Sequence, residues 1–227
     1  MISIKPNALI KFFTSLVIFS LIVPSILTAK SKLKPMTLAE LEKLQDSMRD
    51  NQQISVDFDM IQFKALREQK SFKVGNAEFA KPKYFLWNVN TEPALMLVYN
   101  GKEFVRYSPK DSSAQISRTN ASGFQQVERL VDMVLDLKTL LKSYKIISKN
   151  WAGNMAILEL SPLEKGSQIR KVKLRISKQF KFVREIKLDF NNDNYTQIKF
   201  KNLKRKKLDK TVFNFSRPKG VKLSYIQ

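Results

Sequence analysis

Residues Lys81 to Pro109 read KPKYFLWNVNTEPALMLVYNGKEFVRYSP. Three short runs, Tyr84–Val89, Ala94–Tyr99 and Glu103–Ser108, are divided by Asn90-Thr91-Glu92-Pro93 and by Asn100-Gly101. Each run is too short for a stable helix. Asn-Gly between β-formers is the strongest short-range hairpin signal, because both residues tolerate the positive φ of a type I′ turn. The stretch therefore predicts an antiparallel meander. Phe85, Trp87 and Val89 alternate along the first run and Leu95 and Leu97 along the second, yet Met96 and Val98 on the opposite face are apolar too. A sheet with one wet face would be polar there. Either both faces are covered, or one holds a ligand.

The chain of 227 residues is 43% hydrophobic, enough for a sizeable core. Its 41 Lys and Arg against 20 Asp and Glu give a net charge of +21, which predicts attraction to anionic lipid, nucleic acid or acidic partners and says nothing about fold. Cysteine and histidine are both missing. This excludes disulfides, Cys-His pairs, His-assisted serine triads and typical zinc sites. No phosphate-binding glycine loop, nucleophile elbow or metal-binding loop spacing occurs, so the sequence points to no enzyme and no cofactor.

The N-terminus carries Lys5 and Lys11 and no acid. An apolar run follows from Phe12 to Val23, then Pro24 and the region Ser25 to Ala29. This pattern predicts a signal peptide over residues 1–29, cleaved after Ala29, with an uncleaved membrane anchor as the competing reading. Cleavage would remove Lys5 and Lys11, leaving 39 basic and 20 acidic residues, a net +19. Residues 30–227 show no repeat or linker and read as one domain.

Working outward from the meander, Thr37 to Glu40 fits a capping box opening a helix with Leu38, Leu41, Leu44 and Met48 on one face. From Ile54 the period becomes two, with Ile54, Val56, Phe58 and Met60 facing in and a bulge expected near Ile61 and Phe63. Asp57 and Asp59 share the other face and read as solvated, not as a catalytic pair. Phe72–Ala80 reads as a strand broken at Gly75. After the meander come a short strand at Ser113–Arg118 and a capping-box pattern at Ser122 to Gln125, which opens a helix running to about Lys142. Its wide apolar arc means either core packing or a helix that covers a sheet and also meets a greasy ligand. Asp132 and Asp136 are read as its solvent side.

The remainder is strand: Tyr144–Lys149, Asn154–Leu160, Ile169–Ile176, Phe182–Phe190, Tyr195–Leu203 and Val212–Phe215, separated by turn clusters. Val172, Leu174 and Ile176 alternate with Lys171, Lys173 and Arg175, and Ile186, Leu188 and Phe190 with Lys187 and Asp189, so one face is apolar and the other cationic. The basic run Asn202–Lys210 reads as a solvated loop.

Taken together, the chain resembles the LolA family of periplasmic lipoprotein carriers. The matching stretches are the leader, the first helix, Ile54–Phe58, Gly75–Pro82, Tyr84–Trp87, Glu92-Pro93, Leu97–Lys102, Tyr107–Pro109, Ile198–Asn202 and Phe213–Val221. The resemblance implies a mostly β fold with α elements: an unclosed antiparallel half-barrel of about eleven strands covered by a lid of helices. It implies a soluble periplasmic monomer that takes the acyl chains of lipoproteins from an inner-membrane ABC-type extractor and passes them to an outer-membrane acceptor. It also implies that an arginine before the proline of Lys81-Pro82 latches the lid by bonding to its backbone. Here that position is Lys81, which keeps the charge without the planar fork of donors.

The residues expected to line the lipid site are Phe58, Phe85, Trp87, Leu95, Leu97 and Leu188 on the sheet, with Leu130, Val134 and Leu137 on the lid. Alternatives are a carrier of another lipid, a sensor of lipidated ligands and a basic module binding single-stranded nucleic acid through some of its 16 Phe, 6 Tyr and 2 Trp. An export signal without any nucleic-acid-binding motif argues against the last, so no nucleic acid is expected as a partner.

Overall fold

The computed structural model describes residues 33–118 and 122–226. The leader expected at 1–29 lies outside them, as do the side chains of the cap pattern at Ser122 to Gln125. The strands are β1 (Lys34–Pro35), β2 (Gln53–Lys64), β3 (Gln69–Ala80), β4 (Tyr84–Val89), β5 (Leu95–Tyr99), β6 (Glu103–Ser108) and β7 (Ser113–Arg118), followed by β8 (Tyr144–Ala152), β9 (Met155–Pro162), β10 (Ile169–Ser177), β11 (Phe182–Phe190), β12 (Tyr195–Arg205) and β13 (Lys222–Ile226). The helices are α1 (Leu38–Met48), α2 (Ser122–Leu135) and α3 (Leu137–Ser143). No helix among the described residues is long and apolar enough to cross a membrane.

All thirteen strands form one sheet in the order β1-β8-β9-β10-β11-β12-β2-β3-β4-β5-β6-β7-β13. Its two end strands do not pair with each other, so the half-barrel is unclosed as expected. The two-residue β1, paired with β8, and β13, paired in parallel with β7, form its two edges. The meander forms where period-two alternation placed it, but its turn differs. Only Gly101 has positive φ (90°), and the Asn100 Oδ1 accepts from the N–H groups of Lys102 and Glu103, 3.0 Å each. Asn100 thus acts through its side chain, not through a type I′ backbone.

Other local expectations are corrected. β2 and β3 pair in unbroken register through Ile61, Phe63 and Gly75, and the shift in β12 against β2 falls at Lys201/Lys204 instead. Gly75 does not break its strand; it makes room. A Cβ there would lie 1.9 Å from the Asn88 carbonyl oxygen and 2.5 Å from the Phe58 ring. The segment Lys210–Phe213 is a 3-10 turn capped by Asp209, not a strand. The basic run at 202–210 is not a loop alone: β12 continues to Arg205, and Leu208 is buried.

That last burial explains the surplus on the meander. One face of the sheet and all three helices share the main core, which includes Phe85, Trp87 and Val89. On the other face, Val98, Val105 and Ile116 pack under Leu208, Phe213 and Val221 of the C-terminal segment. Both faces of the meander are covered. The outer face of β10–β12 is cationic but interleaved with acids from the same and neighbouring strands: Lys173 pairs with Glu159 at 3.2 Å, Lys187 with Asp189 of its own strand at 2.9 Å and Lys201 with Asp59 at 2.7 Å. Asp57 accepts from Asn202 at 2.7 Å, so both aspartates of β2 serve the solvated face.

Candidate functional site

The helix layer is held to the sheet at identifiable points. α1 begins with the expected capping box, Glu40 N–H to the Thr37 hydroxyl at 3.2 Å and Thr37 N–H to the Glu40 carboxylate at 2.8 Å. It buries Leu41, Leu44 and Met48 but leaves Leu38 exposed. The expected long second helix is two helices. Asp136 ends α2 and caps α3, its carboxylate accepting from Thr139 N–H at 3.0 Å. Asp136 is therefore a half-buried structural break and not part of a solvent face, because an N-cap must leave the helical conformation to reach the next turn.

Lys81, in the turn between β3 and β4, donates from Nζ to the Arg49 carbonyl at the end of α1, 3.3 Å away. A cation there complements the negative end of the helix. The same lysine faces Asp136. Burial works to raise the Asp136 carboxyl, but the Thr139 hydrogen bonds and the Lys81 charge hold it below the usual carboxylate range. A carboxyl depressed in the folded state stabilises fully above its unfolded value near ~4 and loses that contribution as pH falls through and below it. Acid titration of the native protein is expected to loosen the α2–α3 junction below about pH 4. Asp136→Asn should flatten that part of a thermal-shift profile, and an unchanged acid limb would exclude the group.

The expected site residues separate into three places. Phe58, Phe85 and Trp87 lie in the core, with Phe58 stacked on Trp87 at 3.8 Å between centroids and Phe200 edge-on to Trp87 at 6.3 Å. Val134 and Leu137 are also buried in that core, from the helix side. Leu95 and Leu97 are half-buried on β5, five strands from β11.

Leu130 and Leu188 come together. They line a cleft of about 240 Å³ between α2 and β10–β11, with Met133, Ile169 and Phe190 as further apolar walls. Met133, Ile169 and Phe190 were missed as site residues, although Met133 sits one turn on from Leu130 and Phe190 continues the alternation of Ile186 and Leu188. At the rim, the Arg129 guanidinium of α2 pairs with Glu164 of the β9–β10 turn. Burial opposes the Arg129 charge, yet the hydrogen bond to Glu164 and the nearby charges hold its pKa above the ordinary value. The cleft continues into a second cavity of about 570 Å³ that shares Gly166, Gln168 and Phe190 with it and is walled beyond by Gln62, Phe63 and Lys64. Among the described residues no cluster of Asp and Glu could hold a metal ion.

A family model described as "Outer membrane lipoprotein carrier protein LolA" matches residues 49–216. No curated protein matches the chain significantly. A solved structure of an uncharacterized conserved protein from Thermus thermophilus is 11% identical, covers 82% of this chain and 99% of its own, and superposes with a TM-score of 0.54, which shows a common fold. A LolA superfamily protein from Nitrosomonas europaea matches at 10% identity, 79% of this chain and 98% of its own, with a TM-score of 0.44. The complex of MucA and MucB from Pseudomonas aeruginosa matches at 14% identity, 72% of this chain and 55% of that one, with a TM-score of 0.30.

Proposed function

The chain belongs to the LolA family of outer membrane lipoprotein carrier proteins, and from that premise we propose that it is a soluble periplasmic carrier of lipoprotein acyl chains. In this reading residues 1–29 direct export and residues 30–227 form one carrier domain. Cargo arrives from an inner-membrane extractor of the ABC type and leaves to an outer-membrane acceptor, and no reaction is catalysed. The observation that carries the reading is the half-exposed apolar cleft under α2, continuous with the core that the helices and sheet share.

The physics of the cargo sets the requirements. A sixteen-carbon chain left in water costs about 0.8 kcal/mol per methylene, or roughly 12 kcal/mol, so it does not cross an aqueous space unshielded. The cleft of about 240 Å³ is smaller than the ~300–1,000 Å³ that drug-sized ligands fill. Entry of an acyl chain therefore requires α2 and α3 to lift, exposing Val134 and Leu137 on the helix side and Phe58, Phe85 and Trp87 on the sheet. Lys81 is the latch in this scheme: its Nζ bonds the Arg49 carbonyl at the end of α1 while its charge faces Asp136 at the α2–α3 junction, a weak catch on the lifting helices suited to reversible opening.

Three measurements test this. With Trp151→Phe removing the other tryptophan, Trp87 emission is expected to shift when a palmitoylated peptide is added. An unchanged spectrum despite measured binding would remove Trp87 from the cargo surface. Mass spectrometry of the protein recovered from the exported fraction should find a lipoprotein; another lipid in its place would make the chain a carrier of that lipid. Failure to release lipoproteins from spheroplasts bearing an active extractor would end the proposal.

A further inference from the structure

The β2–β3 hairpin forms a ribbon whose β3 side is open beyond β4 while β2 stays beside β12 up to Phe63, so that the turn from Lys64 to Glu68 extends past both neighbouring strands. The last partner of β2 on one side is Tyr195, opposite Phe63, and the last partner of β3 on the other is Val89, opposite Gly75. From Gln69 to Lys73, β3 pairs with β2 alone. The turn between them is a 3-10 turn over Ala65–Arg67 that closes through Glu68 in the left-handed region (φ 49°), and its base is fixed by the Ala65 N–H to Asn194 Oδ1 bond of 2.8 Å and by the stack of Phe63 on Tyr195 at 5.2 Å. It is a built projection.

What it displays is unusual for a surface in water. Leu66 at the tip is 97% exposed, Phe72 is 66% exposed and Val74 is 49% exposed. Around them stand Lys64, Arg67, Lys70 and Lys73, with Glu68 as the one acid of the ribbon tip. None of these four cations makes an ion pair among the described residues, in contrast to the lysines on the outer face of β10–β12. Large apolar side chains held outward among unneutralised cations match one environment closely. The apolar groups enter the boundary between headgroups and acyl chains, and the ammonium and guanidinium groups stay at the level of the phosphates.

We propose that this ribbon docks the protein on an anionic phospholipid bilayer, with Leu66 inserted and Lys64, Arg67, Lys70 and Lys73 on the lipid phosphates. The docking stands apart from the carrier reading. Its consequence rests on that reading: the ribbon base, Gln62 to Lys64, walls the cavity that leads to the cleft under α2, so a docked molecule turns its cleft mouth toward the membrane.

The test is co-sedimentation of the protein, in one and the same N-terminal form throughout, with vesicles of phosphatidylcholine alone or with about 30% phosphatidylglycerol. The parent is expected to bind the anionic vesicles at least ~10-fold better at low salt, with the difference fading as salt rises. Leu66→Asp and the double variant Lys64→Gln with Arg67→Gln should each weaken binding about 10-fold or more. Leu38→Asp, at a leucine 67% exposed on α1, should bind like the parent. In a Leu66→Trp variant the emission should move to the blue on anionic vesicles only. Binding of Leu66→Asp equal to the parent, equal loss in Leu38→Asp, or no preference for anionic lipid would overturn the proposal. These vesicles contain no lipoprotein, so loss of docking with intact acyl-peptide binding leaves the carrier reading standing, and the reverse result leaves the docking standing.

Discussion

Gly75→Ala is expected to lower stability by about 3 kcal/mol or more, a fall in melting temperature of roughly 6–12 °C for a chain of this size. The reason is space. Gly75 lies at the crossing of β2, β3 and β4, where the Phe58 ring passes over its backbone to stack on Trp87. An added methyl would sit 1.9 Å from the Asn88 carbonyl oxygen, which is backbone and cannot rotate away. To relieve the clash the β3–β4 ladder must separate or the Phe58–Trp87 stack must slide, and either change spreads into Phe85 and Phe200. Thermal unfolding followed by near-ultraviolet circular dichroism would show both the lower midpoint and a disturbed tryptophan signal. A midpoint within ~2 °C of the parent, taken as about 1 kcal/mol or less, would mean that the strand crossing is far more yielding than its geometry indicates.

The second large effect concerns cargo. Leu130→Asp and Leu188→Asp are each expected to weaken binding of a palmitoylated peptide by about 100-fold or more, with little change in stability. Both leucines are half-exposed, so a carboxylate there keeps its water. An acyl chain laid along the cleft would strip that water, and burying an unpaired carboxylate costs several kcal/mol against the ~1.4 kcal/mol that corresponds to each factor of ten. Leu95→Asp offers an internal comparison, because Leu95 lies on β5 and away from the cleft. Equal losses at all three positions would point to a cargo surface spread across the whole sheet, and undiminished binding in the Leu130 and Leu188 variants would remove the cleft as the entry.

Much of the fold was legible because it is written in short-range periods. Period-two alternation located β2, β4, β5, β6, β10 and β11 to within a residue or two, and the Thr37–Glu40 pattern located α1 together with the hydrogen bonds that start it. What was not legible depends on partners distant in sequence. Gly75 looks like a strand breaker until Phe58 is known to cross it. Asp136 looks like one more polar residue on a helix, since nothing local distinguishes a mid-helix aspartate from the cap of a second helix. Val98 looked like spare apolar surface because Leu208, Phe213 and Val221, which bury it, are joined to it only by the path of the C-terminal segment.

The candidate site follows the same rule. Residue types told which positions were apolar, and the resemblance told which elements face each other, but only the topology brings Leu130 against Leu188 and sends Leu95 five strands away. The aromatic residues that stood out in sequence, Phe58, Phe85 and Trp87, stood out because they build the core. The cleft is walled by less conspicuous side chains.

The two-sided packing of the meander has a mechanical consequence. Where the sheet carries apolar layers on both faces, from β4 to β6, it bends as a laminate: any change of curvature must shear two close-packed layers against the strands between them. From β10 to β12 the outer layer is ion pairs in contact with solvent, which slide and re-form at small cost. The molecule is thus stiff along one flank and compliant along the other. In the proposed carrier, the flexing that would admit a long guest concentrates on the compliant flank, beneath α2, while the meander acts as the fixed jaw against which it opens.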